Sequence, residues 1–316
     1  MKLIEVRSPG MLTTVQDLGR DGYGAMGVSA SGAADMVALR VGNRLVNNPE
    51  SAAALEMTLL GGNFAFPDGA VVALTGSDFS TTIDGNRVEM WTSFQIRARQ
   101  TLQVGATQSG ARCYLCVQGG IAVKQFLDSA STHLLSGLGG FEGRALRKGD
   151  VLLIGLADGA FRTFRSRTVP RHLLEKFKPR KILRVTSGPQ SSSFSGEAQQ
   201  VFYEGTFRVS EESNRMGIRL EGAPLPQDFT GEMVSEGVAL GAVQITAGGL
   251  PIILFVEQQT TGGYAKIANI ISADMHSVGQ LRPRDEIRFE RVDFDAARTL
   301  LREQQALLSS RELIEG

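Results

Sequence analysis

Between Glu257 and Ile267 the chain leaves a strand-sized apolar run and becomes abruptly polar: Glu257-Gln258-Gln259-Thr260-Thr261-Gly262-Gly263-Tyr264-Ala265-Lys266-Ile267. Gly262 and Gly263 allow close approach of the backbone to a ligand. Two glutamines, two threonines, a tyrosine and Lys266 surround them, and Gln244 lies in the nearby run Gly241-Ala242-Val243-Gln244-Ile245. Donors converging in this way could stabilise an oxyanion; the same residues also suit the polar turn of a hairpin. A second concentration runs from Gly10 to Arg20, with Thr13, Thr14, Gln16, Asp17 and Arg20. Two hydroxyls, an amide, a carboxylate and a guanidinium could orient a planar amide or carboxylate. They could equally form a polar network closing a barrel end, with Asp17 paired to Arg20. Ser29-Ala30-Ser31-Gly32-Ala33-Ala34-Asp35 reads as an anion seat at a helix start or as ordinary capping. Asn214-Arg215, just before Gly217, fits a carboxylate clamp or a braced turn.

Several kinds of chemistry have no motif here. There is no GxxxxGK[ST] loop and no GxGxxG after a strand, so neither a Walker-type ATP site nor a dinucleotide site is expected. His133, His172 and His276 lie far apart and form no metal-ligand pattern. No GxSxG elbow is present, and Lys266 lacks the flanking methionines of a biotin-attachment lysine. Cys113 and Cys116 have CxxC spacing, but they sit in a strand-like run. On a strand, residues three apart point to opposite faces, so two reduced thiols are expected. Demanding chemistry would need an activated group brought from outside. Basic and acidic residues balance at 33 each, which argues against nucleic acid. Charges interrupt the N-terminus at Lys2, Glu5 and Arg7, unlike a signal peptide. No apolar run approaches the roughly 20 residues that span a bilayer. A cytoplasmic protein is expected.

The elements that must position these residues read as mainly β. Short apolar runs recur between glycines, as at Val71–Thr75, Val151–Ile154, Ile252–Val256 and Glu286–Phe289. Asp84-Gly85 predicts a two-residue hairpin turn. Two helices are expected. One lies within Ala33–Val46, with Ser31 available as its cap. The other opens at Asp293 with Phe294, Ala297, Leu301 and Leu308 on one stripe. The basic, proline-marked stretch from Arg162 to Lys181 suits a solvated linker. It separates an N-terminal domain over residues 1–165, carrying the TTVQD loop, from a C-terminal domain over 180–316, carrying the TTGGY loop and the final helix. Short echoes between the halves, such as Val151–Ile154 against Glu286–Phe289, fit two related barrels.

The motifs also resemble one family. Gly10…Thr13-Thr14-Val15-Gln16-Asp17…Gly19-Arg20, Ser29…Gly32-Ala33…Asp35, Leu55-Glu56, Asn214-Arg215-Met216-Gly217 and Gln259-Thr260-Thr261-Gly262-Gly263-Tyr264 are similar to the KipA family, also called the biotin-dependent carboxyltransferase or allophanate-hydrolase subunit 2 family. The resemblance covers nearly the whole chain. It implies two cyclophilin-like β-barrel domains with few helices. It also implies an enzyme complex, the 5-oxoprolinase, in which a KipI-like B subunit and an A subunit join this chain to open 5-oxo-L-proline to L-glutamate with ATP hydrolysis. ATP would act at the level of the complex, and no metal is implied. On this reading Arg215, Thr260, Thr261 and Tyr264 are catalytic. Thr13, Thr14, Gln16, Asp17, Arg20, Ser29, Asn214, Gln244, Gln259, Gly262, Gly263 and Lys266 bind substrate. The family also implies two alternatives: carboxyl transfer from biotin to a urea-like amide, and a non-enzymatic antagonist of a KipI-type kinase inhibitor. The sequence departs from the pattern at Glu257, where the family often has Asp, and at Ala265, where it often has Pro.

Overall fold

A computed structural model describes residues 2–156, 164–226 and 233–316. The protein is mainly β, and the chain forms two compact units. One comprises residues 1–20, 31–178 and 307–316; the other comprises 21–30 and 179–306. Two segments thus differ from the expected spans. Residues 21–30 group with the second unit, and the last ten residues group with the first.

In the first unit the strands form two sheets. The seven-stranded sheet runs in the order Ile121–Ala122, Val151–Ile154, Leu3–Ser8, Asn63–Phe66, Gln100–Gln103, Thr82–Ile83 and Asn86–Arg87. The five-stranded sheet runs Leu12–Gln16, Ala54–Thr58, Arg112–Val117, Ala70–Gly76 and Ser93–Ile96. Period-two alternation divides the five-stranded sheet between two cores. Val15, Leu55, Met57, Cys113, Leu115, Val72 and Leu74 join Ile4, Val6, Phe64 and Phe66 of the other sheet. On the opposite face Ala54, Ala73, Tyr114 and Cys116 pack under helix Met36–Leu45. The two cysteines are free, buried and on opposite faces. The Asp84-Gly85 hairpin is present, with Ile83 opposite Asn86. Both turn residues have positive φ, 45° and 83°, the geometry of a primed turn.

Three details correct the expected elements. The first helix is capped by Asp35, whose Oδ1 accepts from Ala38 N at 2.9 Å, and not by Ser31. The basic stretch is not a solvated linker where it is described. Helix Arg171–Leu174 and the turn after it place Leu173 and Phe177, four residues apart, inward with Val169; Phe161, Arg162 and Thr163 lie outside the described residues. In the final helix, Phe294–Ser309, Phe294 is 70% exposed. Only the far end of that stripe is buried. Leu308 and, beyond the helix, Leu313 enter the core beneath helix Met36–Leu45.

In the second unit a seven-stranded barrel closes in the order Ile182–Ser187, Lys266–Ile270, Ala242–Ile245, Pro251–Leu254, Gly217–Glu221, Phe207–Val209 and Glu286–Arg291. The closing pair, Ile182–Ser187 with Glu286–Arg291, is parallel. Val151–Ile154, its echo in the first half, pairs antiparallel with Leu3–Ser8, so the short repeat does not occupy an equivalent ladder. Stacked Phe202 and Phe289 rings, 4.4 Å apart, pack with Phe207. Outside the barrel a two-stranded ribbon pairs Glu236–Gly237 with Thr261–Gly262. Among the described residues no helix is long and apolar enough to cross a membrane.

Candidate functional site

In the first unit the TTVQD segment is a strand edge with a tight network at its end. Thr13 Oγ1 donates to Pro9 O at 2.5 Å. Gln16 Nε2 donates to Thr14 Oγ1 and Thr132 O, at 3.0 and 3.1 Å. Gln16 Oε1 is buried without a hydrogen-bond partner among the described residues. Asp17 is held by four donors: Gly19 N, Ser129 Oγ, Ala130 N and Ser131 Oγ, at 2.5–2.8 Å. Arg20 braces the same segment. Its Nη2 donates to Ser131 O, and its guanidinium lies 5.7 Å from the Phe126 ring centroid. Ser129 and Ser131 carry no sequence signal, since they lie more than 110 residues from Asp17.

Beside this network, cross-strand register brings Thr14, Glu56, Tyr114 and Thr75 into one row. Glu56 Oε2 accepts from Ala34 N at 2.8 Å and from Tyr114 Oη at 2.7 Å, while Asp35 N donates to Tyr114 Oη. Arg112 lies 3.6 Å from Glu56 Oε1. Burial, and then the charge of Glu56, push the Tyr114 phenol well above its ordinary value. It therefore stays protonated and acts as a hydrogen-bond bridge. The backbone donors just before helix Met36–Leu45 are taken by Glu56 and Tyr114, so the anion seat expected there is filled by the protein's own groups. Ser29, in the other unit, is buried with its hydroxyl unpartnered among the described residues.

In the second unit the polar residues converge at one end of the barrel. Gln244 and Lys266 are cross-strand neighbours, both nearly fully buried. Lys266 Nζ lies 2.6 Å from Glu236 Oε1 and 3.4 Å from Tyr264 O. Gln190 ties them together: its Nε2 donates to Glu236 Oε1 at 2.8 Å, and its Oε1 accepts from Lys266 N at 3.1 Å. Hydrogen bonds from Lys266 and then Gln190 hold the Glu236 carboxyl below its usual value, so it is an anion. Gly262 gives two side-chain amides room. A Cβ there would stand 2.7 Å from Gln244 Nε2 and 2.9 Å from Gln259 Nε2. Gly263 is less constrained, with nothing nearer than 3.5 Å among the described residues. Thr261 is exposed, and Thr260 O accepts from Val238 N. Tyr264 is 46% exposed; its carbonyl faces Gln244 Nε2 at 3.5 Å.

Asn214 and Arg215 divide their work. Asn214 Oδ1 accepts from Met216 N at 2.8 Å and braces the turn. Arg215 is buried, with Nε donating to Glu257 Oε1. Glu257 N in turn donates to Arg215 O, which extends the ladder between Gly217–Glu221 and Pro251–Leu254. The longer carboxylate at position 257 is thus the counter-ion of Arg215. Glu236 and Gln190 are functional candidates that sequence reasoning missed, because no motif links them to Lys266. Among the described residues no group of three His, Cys, Asp or Glu side chains is placed to hold a metal.

Residues 26–291 match the family described as "Carboxyltransferase domain, subdomain A and B". The chain belongs to this carboxyltransferase-domain family. Among curated relatives, the protein named as the C subunit of 5-oxoprolinase in Escherichia coli (strain K12) is 38% identical over 310 residues, covering 96% of each chain. Its namesake in Haemophilus influenzae is 34% identical and covers 97% of this chain and 96% of that relative. Among solved structures, the urea amidolyase of K. lactis superposes with a TM-score of 0.91 at 31% identity. That match covers 97% of this chain and 20% of the other, so the carboxyltransferase-domain fold here spans about a fifth of that larger protein.

Proposed function

We propose that this chain is the C subunit of an ATP-dependent 5-oxoprolinase, a cyclic amidase that opens 5-oxo-L-proline to L-glutamate together with a KipI-like B subunit and an A subunit. The observation that carries the reading is kinship over essentially the full length of two proteins named as the C subunit of 5-oxoprolinase. The barrel end supports it chemically. Amide donors from Gln244 and Gln259 flank Gly262, and a lactam presents one planar N–C=O group that such amides can orient. Backbone and side-chain donors fixed before reaction stabilise developing charge on a carbonyl oxygen without reorganising. Thr260, Thr261 and Tyr264 border this cluster. Arg215, neutralised by Glu257, contributes as a positioned pair and not as an isolated cation. ATP supplies activation of the lactam in the assembled complex. No Walker-type loop stands in this chain, and the chain alone is expected to be inactive.

A second reading, carboxyl transfer from biotin to a urea-like amide, is favoured by the family description and by the likeness to urea amidolyase. Lys266 is not a biotin carrier on either reading, being buried in a barrel strand. The test is co-purification with partner subunits and assay of glutamate released from 5-oxo-L-proline. ATP-dependent release that requires this chain is the expected result. Consumption of urea with a biotinylated partner, and no glutamate, would move the assignment to the second reading. Tight partner binding with no turnover of either substrate would favour a binding protein.

A further inference from the structure

We infer that Glu236 is an internal stand-in for a ligand carboxylate, and that Lys266 with Gln190 forms the seat which a carboxylate-bearing ligand takes by displacing it. Lys266 projects from a strand of the closed barrel, with its side chain 4% exposed. A buried ammonium needs a counter-charge. Its counter-charge does not come from a barrel strand. Glu236 belongs to the two-residue strand of the outer ribbon, which among the described residues pairs only with Thr261–Gly262, and its side chain is 46% exposed.

The receiving groups are tied to the barrel strand of Lys266, while the carboxylate comes from the outer ribbon. Gln190 is pinned by Lys266 N, so its Nε2 is aimed at the same Glu236 Oε1 that Lys266 Nζ reaches. Two donors therefore converge on one carboxylate oxygen, an arrangement that any free carboxylate reproduces. The ribbon residue next to Glu236 is Gly237, around which a Cβ would meet nothing within 4 Å among the described residues, so the ribbon is open on that side. The Glu236 side chain is half exposed, so a dissolved carboxylate can reach the contact and exchange for it. The amides beside Gly262 follow along the same ribbon and would meet the remainder of the ligand. The inference rests on the 5-oxoprolinase reading, because both 5-oxo-L-proline and L-glutamate carry an α-carboxylate. It names the part of the site that holds that group.

The experiment is calorimetric titration of the full chain at constant ionic strength with three probes. They are 5-oxo-L-proline, cyclopentanecarboxylate (carboxylate without lactam) and 2-pyrrolidinone (lactam without carboxylate). Glu236→Gln removes the internal competitor and is expected to bind both carboxylates roughly two- to fivefold tighter than wild type, leaving 2-pyrrolidinone unchanged. Lys266→Met is expected to weaken both carboxylates about tenfold or more and to abolish the gain from Glu236→Gln in the double variant. Glu236 is half exposed, so its variant keeps the test decisive even where Lys266→Met fails to fold. Carboxylates binding Glu236→Gln no tighter than wild type, or not at all, would overturn the seat. Its failure and that of the functional reading are separable. A gain for cyclopentanecarboxylate with no binding of 5-oxo-L-proline keeps the seat and removes the substrate. Binding of 5-oxo-L-proline indifferent to Glu236 does the reverse.

Discussion

Arg215 and Glu257 are 42 residues apart in the chain yet form one buried ion pair. Removing one partner of such a pair strands a desolvated charge, at a cost of about 3–5 kcal/mol. Arg215→Met is therefore expected to lower the unfolding free energy by about that much, and Arg215→Met with Glu257→Met to recover most of it. Denaturant titration of the three proteins checks this, and a double variant no better than the single one would deny the coupling. The buried thiols and phenol give a pH dependence. Burial raises Cys113 and Cys116 above the ordinary thiol value, and raises Tyr114 above the ordinary phenol value. Above about pH 9 the unfolded chain loses protons that the folded protein keeps, so stability is full below that range and falls as pH rises through it. Unfolding at pH 7 and pH 10 should show the loss, and iodoacetamide should label both thiols only after unfolding. The opposite facing of the cysteines was readable from their spacing, because a strand alternates. The Arg215–Glu257 pair and the Glu236–Lys266 contact were not. Each depends on which strands become neighbours, and no local periodicity encodes that.

At the scale of elements, turn chemistry was the most legible. Asp84-Gly85 between two strand-like runs forms the expected hairpin, because only a residue tolerant of positive φ suits the second turn position. Helix Met36–Leu45 was visible from its apolar stripe, but its cap was not. Ser31 has the right side chain, yet the chain runs on with positive φ there, and Asp35 takes the capping role four residues later. Asp35→Ala is expected to cost about 1 kcal/mol, read as a lower denaturation midpoint, whereas Ser31→Ala should lack any capping loss. The basic stretch before residue 181 misled because its charges are conspicuous, while the inward Val169, Leu173 and Phe177 are separated by them.

Across the whole molecule, the first unit is completed by the last residues of the chain. Leu308 and Leu313 are fully buried beneath helix Met36–Leu45, where a buried leucine contributes roughly 1.5–3 kcal/mol. Trp91 is the sole tryptophan and packs on the same cluster, so its fluorescence reports the first unit. Leu308→Ala with Leu313→Ala should shift the Trp91 unfolding midpoint downward; an unchanged midpoint would contradict the packing described. In the other unit Gly262 leaves room for the Gln244 and Gln259 amides, which we propose orient a planar amide substrate. The nearest atoms to a Cβ at position 262 are the flexible ends of those two side chains and then Val238, so it should displace the amides while leaving the barrel folded. The direct measurement is turnover of 5-oxo-L-proline by the reconstituted complex carrying Gly262→Ala. A kcat reduced about tenfold or more, with melting temperature and partner binding retained, is predicted. Wild-type turnover from that complex would contradict the account.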